Sequence, residues 1–330
     1  MHQKPTSKLV ITTRSRLHLT LLAMHAGEYR MNGGIGFAIQ EPSCQIVFTA
    51  SKKFEVNDQR LKTLSIDESQ RFFKVLNDEQ LRYDFESALT ISIAGDMPIH
   101  SGFGSGTAIT LSCLEALHLL NDRTPSKTEL IKASGRGGTS GVGINTYFDG
   151  GCVFDLGKPI NGDLHVPSNQ ASEIYQPLLL SVNEMPDWDI GICTPRYLPV
   201  KTQAEEKAFF ERVCPISAVS AYETIYHSLF GLYAAIKENN KSLFCKSLKR
   251  VQDCDWKKAE RSEYGEMLLN IETALYKCGA SAVGMSSLGP SLFFLADDVR
   301  FVNRKMRALY PECNLYITQP INHGRSVNYD

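Results

Sequence analysis

Long apolar runs are missing from this chain. None approaches the roughly 20 consecutive apolar residues that a membrane-spanning helix requires. Net charge is nearly absent as well: 35 basic residues face 36 acidic ones for a formal balance of −1, so no global field draws nucleic acid or an anionic membrane. The nine cysteines are scattered singly with no C-x-x-C pair, which argues against a zinc site and for reduced thiols used as core filler. The first residues, MHQKPTSK, are polar and lack the apolar centre of a secretory signal, so a cytoplasmic location is expected. Internal repeats and low-complexity segments are absent too. What is left is a globular composition, 43% hydrophobic and 22% charged over 330 residues, enough for one large or two medium domains.

Glycine, by contrast, is plentiful and clustered. In HSGFGSGTAITLSCLEALHLLN, residues 100–121, Gly102, Gly104 and Gly106 alternate with Ser101, Ser105 and Thr107 and lead into an apolar helical run from Ala108 to Leu120. A strand-like segment, Leu89 to Ala94, precedes them. Strand, glycine loop and helix start in that order present N–H groups and hydroxyls to an anion, with the positive end of the helix dipole behind. The loop has neither the Lys of G-x-x-x-x-G-K-[ST] nor the spacing of G-x-G-x-x-G. It is a phosphate loop of another kind, or else a tight turn before a buried helix.

Residues Lys8 to Leu22 alternate as a strand that sets Arg14, Arg16 and His18 on one face. Such a face suits a carboxylate or phosphate, and a solvated face is the alternative. Gly33 and Gly34 follow in N-G-G-I-G, marking a bulge, a hairpin or a place where backbone meets ligand. Strands are expected at Phe37–Ile39 and Gln45–Ala50, and an amphipathic helix over Asp67–Tyr83. A short helix, Lys127 to Ala133, leads to a second run, GRGGTSGVG over 135–143, whose five glycines in nine residues exclude regular structure. It reads as a second ligand-facing loop carrying Arg136, Gly137, Gly138, Thr139 and Ser140, or as a linker. Asp149 closes the region and Asp155 lies on the strand Cys152 to Leu156.

Polar, irregular residues 157–172 suggest a connection between an N-terminal domain, 1–172, and a C-terminal domain, 173–330. In the second part strands are expected at Leu178–Val182 and Trp188–Cys193. Helices are expected at Ala204–Val213, Ile216–Lys237, Ser242–Val251 and Tyr264–Cys278. A third glycine-bearing stretch, GASAVGMSSLGP, includes Ser286, Ser287 and Gly289 and precedes a strand–helix–strand ending at Thr318. The whole reads as an α+β protein.

Three separated Gly/Ser loops, the central one entering a helix, resemble the superfamily of galactokinase, homoserine kinase and mevalonate kinase. Within it the pieces S-R-L-H, N-G-G-I-G, G-F-G-S-G-T, G-R-G-G-T-S-G-V-G and A-V-G-M-S-S-L-G-P are similar to those of β-ribofuranosylaminobenzene 5′-phosphate synthases, and to related C-nucleoside synthases. This resemblance implies a two-domain GHMP-kinase-like fold. Kinases of the superfamily carry a motif like P-S-G-I-D-N whose Asp is the base toward the substrate hydroxyl. Laying Thr139-Ser140-Gly141-Val142 on it puts Gly143 at the Asp position, although Asp149 could substitute from a neighbouring turn. A positioned base contributes on the order of 10²–10⁴-fold in rate, so its loss argues against hydroxyl phosphorylation.

What the synthase resemblance implies is transfer of ribose 5-phosphate from phosphoribosyl pyrophosphate (PRPP) to a ring carbon of an aromatic carboxylic acid, with loss of CO2 and pyrophosphate. Mg2+ and aligned N–H donors would stabilise the leaving charge. On this view Ser101, Gly102, Gly104, Ser105, Gly106 and Thr107 take the pyrophosphate, with Ser105 and Thr107 near the metal. Arg136, Gly137, Gly138, Thr139, Ser140, Ser286 and Ser287 hold the ribose phosphate or the acceptor. Arg14, Arg16 and His18, with Gly33, Gly34 and Gly289, hold the acceptor, and Asp149 or Asp155 accepts a hydrogen bond from its ring substituent. Phe103, Asn32, Ala282, Met285, Leu288 and Ser291 depart from the synthase pattern, and the last four are expected to reshape the acceptor pocket from one loop. A homodimer is the default assembly.

Overall fold

The computed structural model describes residues 8–60, 66–160, 162, 165–167 and 176–329. The boundary expected at residues 172 and 173 lies outside them. So do most of MHQKPTSK and part of the 157–172 connection.

Twelve strands of the described residues form two sheets. The larger is built on β1 (Leu9–Ala23) and β2 (Arg30–Ser51), two long antiparallel strands. β2 runs unbroken through the two short strands expected from the sequence. Its first half pairs with β5 (Cys152–Asp155), its second with β4 (Ala88–Gly95), which also carries the parallel edge strand β3 (Glu55–Asp58). The two-residue β6 (Lys158–Pro159) touches the start of β2. Two strands reach this sheet from far along the chain: β7 (Leu179–Asn183) pairs with β5, and β12 (Ser326–Tyr329) pairs with β1. The smaller antiparallel sheet has the order β11 (Cys313–Thr318), β8 (Ile190–Pro195), β10 (Leu292–Leu295), β9 (Ala282–Met285).

Against the larger sheet lies α2 (Ser105–Leu119), which starts three residues earlier than its apolar run because Gly104 takes the N-cap with φ 79°. Nearly every residue of α2 is buried, Glu115 and His118 included, so the helix is covered all round rather than amphipathic. Helix α1 (Ile66–Tyr83) packs on it, and α3 (Lys127–Ser134) follows behind a Ser126/Glu129 capping box. The second glycine run is not wholly irregular: its last residues enter α4 (Val142–Asp149), placing Gly143 inside a helix.

In the later part of the chain come α5 (Gln203–Val213) and α6 (Ala218–Tyr226). A π-helical turn, His227–Tyr233, joins α6 to α7 (Ala234–Lys237). The single helix expected over 216–237 is thus continuous but locally widened. There Gly231 lets α8 (Lys241–Gln252) come so close that a Cβ would stand 2.4 Å from Ser247 Oγ. Helix α9 (Asp255–Ser262) is not apparent from the sequence; α10 (Gly265–Cys278) and α11 (Val299–Leu309) cover the smaller sheet. A third, small apolar cluster of Leu21, Met24, Phe209, Phe210, Trp256 and Leu288 joins the two halves of the chain.

Candidate active site

The site begins with two irregularities in the β1–β2 ladder. Between Arg14 and Ser15 the partner jumps from Ser43 to Ile39, leaving Gln40, Glu41 and Pro42 of β2 unopposed. Arg14 turns to that bulge, donating to the Gln40 carbonyl and lying 3.9 Å from Glu41. It does not share a ligand face with Arg16 and His18, as strict alternation predicts, because the bulge interrupts the ladder there. A second irregularity falls between His18 and Thr20. There the third glycine-bearing loop docks: Ser286 Oγ accepts from the His18 amide at 3.0 Å, and the Ser287 amide donates to the His18 carbonyl at 3.1 Å.

The first loop is locked onto the third by close backbone approach. Ser286 Oγ donates to the Gly102 carbonyl at 2.7 Å, and a Cβ on Gly102, whose φ is +89°, would stand 2.1 Å from the Ser286 carbonyl oxygen. Ser101 Oγ donates to the Ile99 carbonyl at 3.0 Å. Ser101 and Ser286 are therefore internal fasteners, buried away from the cavity. Gly289 lines the cavity and packs on the Ser101 backbone.

The second loop is tied by Asp155. This fully buried carboxylate accepts from Ser140 Oγ at 2.8 Å, the Gly141 amide at 3.0 Å and the Gly157 amide at 3.0 Å. Burial raises its pKa from 3.8 to about 6 despite those donors. Gly33 and Gly34 serve the same fastening: the Gly33 amide donates to the Thr139 carbonyl, and a Cβ on Gly34 would stand 2.6 Å from Ser140 Oγ. Asn32 adds a 3.4 Å bond to the Gly138 carbonyl. Asp155 reaches the cavity only through Ser140, whose Oγ is 3.4 Å from His18 Nε2. Asp149 stands outside: at the end of α4 it pairs with Lys127 at 2.5 Å on the surface.

These fastenings surround a cavity of about 530 Å³. Of the residues singled out from the sequence it gathers Arg16, His18, Gly102, Gly104, Ser105, Gly106, Thr107, Arg136, Gly137, Thr139, Ser140, Ser287 and Gly289. Arg14, Gly33, Gly34, Ser101, Gly138, Asp149, Asp155 and Ser286 lie outside its lining. The start of α2 opens into it, and Arg136 Nη2 lies across that helix end, 3.4 Å from where a Gly106 Cβ would be. The Arg136 side chain has no hydrogen-bond or ion-pair partner among the described residues, although its amide donates to Ser134 Oγ at 3.2 Å, and the Ser105 and Thr107 hydroxyls likewise have none. Arg16 gives Nη1 to the Gly102 carbonyl, and its buried Nε is unpartnered. Burial lowers its pKa only to about 10, so it stays charged at neutral pH, whereas burial beside Arg16 and Lys257 holds His18 well below the usual imidazole range and neutral. Gly143 also lines the cavity. A Cβ there would meet nothing closer than 3.8 Å, so packing does not impose the glycine; it leaves open space beside Thr107 and Arg16.

Other walls were not evident from the sequence. Helix α1 contributes Glu68 and Arg71; α5 contributes Glu206 and Phe210; α9 contributes Trp256 and Glu260. A signal existed for Glu206, since it shares an i, i+3, i+4 stripe with buried Phe209 and Phe210. Of the four departures expected to reshape the pocket, only Leu288 lines it. Ala282 and Met285 are buried in β9, and Ser291 Oγ bonds Thr194 Oγ at 2.9 Å. No three His, Cys, Asp or Glu side chains among the described residues form a ready metal site, and no helix among them is long and apolar enough to cross a membrane.

Comparison with known proteins agrees with this architecture. Residues 70–150 match the family model described as GHMP kinases N terminal domain. The chain is 27% identical over 324 residues, 97% of its length and 99% of the relative's, to a beta-ribofuranosylphenol 5′-phosphate synthase of Archaeoglobus fulgidus. It is 26% identical to the protein of that name from Methanothermobacter thermautotrophicus, covering 88% of this chain and 89% of the other. Homoserine kinase from Cytophaga hutchinsonii superimposes with a TM-score of 0.66 over 99% of both chains at 16% identity, a likeness of fold.

Proposed function

Because the chain belongs to the GHMP kinase superfamily and is similar along nearly its whole length to beta-ribofuranosylphenol 5′-phosphate synthases, we propose that it transfers ribose 5-phosphate from PRPP to an aromatic or heteroaromatic carboxylic acid, forming a C–C glycosidic bond and releasing CO2 and pyrophosphate. The observation that carries this reading is the pairing of an anion-binding helix start, faced by the uncommitted side chain of Arg136, with open space at Gly143, the position that falls on the kinase base when the sequence is laid on the kinase motif.

The pyrophosphate sits at the α2 N-terminus, where backbone N–H groups, the helix dipole and Arg136 oppose the charge that grows as the C1–O bond breaks. Mg2+ fits there with the oxygen donors of Ser105 and Thr107, whose hydroxyls are otherwise uncommitted, completed by substrate phosphate oxygens. When bound it would neutralise the leaving diphosphate. Arg16, whose Nη1 is held by the Gly102 carbonyl, lines the cavity and holds the acceptor carboxylate until it departs as CO2, and Ser287 and Thr139 frame the ribose phosphate. No base is needed at the reacting carbon, since the ring loses CO2 rather than a proton.

Thermal unfolding with PRPP and Mg2+, compared with ATP and Mg2+, tests the donor. Saturation at about 100 times Kd stabilises by about 2.7 kcal/mol, so PRPP raises Tm by several degrees and ATP does not. Stabilisation by ATP alone, with transfer of its terminal phosphate to a hydroxyl, would establish a kinase instead. Release of labelled CO2 from carboxyl-labelled aromatic acids in the presence of PRPP tests the chemistry directly.

A further inference from the structure

The cavity wall built by α5 and α9 differs in kind from the loops opposite. Phe210 and Trp256 meet edge to face at 5.1 Å, and Leu288 from the third loop joins them in one apolar cluster. A sugar diphosphate has no use for such a surface, whereas a planar ring does. Taking the proposed reaction as given, we infer that this wall seats the acceptor: its ring lies against Phe210, Trp256 and Leu288, and Glu206 accepts a hydrogen bond from an N–H or O–H on that ring.

The assignment to Glu206 follows from accounting for the carboxylates that line the cavity. Glu260 is held by the buried Lys257, Glu68 by His100 at 2.5 Å and Asp78 by Lys74 at 2.7 Å. The neighbouring cation Lys201 is taken by Glu263 at 3.1 Å. Glu206 is the one lining carboxylate with no ion pair or hydrogen bond among the described residues. It stands within the field of Arg136 and Arg16, while burial pushes its pKa above the ordinary carboxylate value. An uncommitted carboxylate in a cavity meant for diphosphate is a liability unless something donates to it. An aromatic acid whose N–H or O–H is conjugated with the carbon bearing the carboxylate supplies that donor.

The electron count is consistent with this placement. A hydrogen bond to Glu206 pushes density through the ring to the carboxyl-bearing carbon. That carbon forms the new bond to C1 of the ribose as the C1–O bond breaks and its electron pair leaves with diphosphate. The C–CO2 bond then breaks, its pair restores the aromatic ring, and the proton remains on the ring substituent.

Intrinsic fluorescence reads the subsite without turnover. The sequence has two tryptophans, and Trp188 lies apart, packed on Phe244 and bonded to Asn239. Binding of 4-hydroxybenzoate, 4-aminobenzoate or pyrazole-3,5-dicarboxylate to the full chain with Mg2+ and diphosphate is expected to quench Trp256, and Trp256→Phe is expected to remove that signal. Glu206→Gln should weaken the best of these acids at least tenfold while calorimetry shows PRPP affinity undiminished, which also certifies the fold. The 4-methoxy analogue, with no donor, should bind the wild type weakly and be indifferent to Glu206→Gln. Labelled CO2 released with no Trp256 quench, or with acid affinity unchanged in Glu206→Gln, overturns the subsite and leaves the reaction standing. A quench lost in Glu206→Gln without CO2 from any acid supports the subsite and overturns the reaction. Absence of both overturns both.

Discussion

Asp155 illustrates how a residue can matter to a site it does not touch. Its carboxylate gathers Ser140, Gly141 and Gly157, and thereby sets the second loop against β2. Asparagine would turn an N–H toward the Gly141 amide, so Asp155→Asn is expected to cost about 1–3 kcal/mol in urea unfolding. Because the folded pKa is raised from 3.8 to about 6, the folded chain holds this proton more tightly than the unfolded one. Asp155 thus contributes most below about pH 4, and its contribution is lost as pH rises through about 6. The stability gap between wild type and Asp155→Asn should shrink over that window by on the order of 3 kcal/mol. A gap that grows with pH would contradict the assigned environment. At the cavity itself, Arg136→Ala should weaken inorganic diphosphate by tenfold or more in calorimetry. Gly143→Asp should fold, since a Cβ is accommodated there, yet lose diphosphate binding because a carboxylate beside Thr107 repels it and competes for Arg16. Arg16 and His18 were legible from strand alternation, and so were the glycine loops from composition. Glu206, Trp256 and Glu260 were not: Glu206 reads locally as a member of a surface helix, the helix that carries Trp256 and Glu260 is not apparent from the sequence, and all three acquire their meaning only when α5 and α9 fold against the loops.

Among the elements, the docking of the first loop on the third is the most demanding feature. Gly102→Ala adds a Cβ 2.1 Å from a carbonyl oxygen at a φ of +89°, so neither loop can keep its place. A loss of about 2 kcal/mol or more is expected, with donor binding lost alongside. Gly265→Ala makes a useful control. Its φ is +60° but nothing lies within 4 Å, so only the left-handed strain of about 1 kcal/mol should appear, with donor binding intact. Equal effects in the two variants would mean that the loop contact is unimportant. The break in alternation at Arg14 belongs to this scale too. Three unopposed residues in β2 cannot be inferred from the β1 sequence, so the strand was predictable while the aim of one of its arginines was not. Likewise α4 begins inside the glycine run because Gly141 and Gly143 are followed by good hydrophobic anchors, Val142 and Ile144, both buried.

At the scale of the whole molecule, a formal charge of −1 conceals where the charges stand: Arg16, Arg71, Lys74, Arg136 and Lys201 line one cavity with Glu68, Asp78, Glu206 and Glu260, and the Arg136 side chain lies across the start of α2. Diphosphate affinity should therefore fall as salt rises, and less steeply in Arg136→Ala than in the wild type. A salt-independent affinity would place the anion elsewhere. The order in which the sheet is assembled carries a separate consequence. β1 is flanked by β2 on one side and by β12 on the other, and the register joins Leu9 to Tyr329. During synthesis the earliest strand therefore waits with one edge bare until residues 326–329 emerge, and this exposed ribbon is where a stalled or truncated polypeptide would be captured by chaperones or would clump.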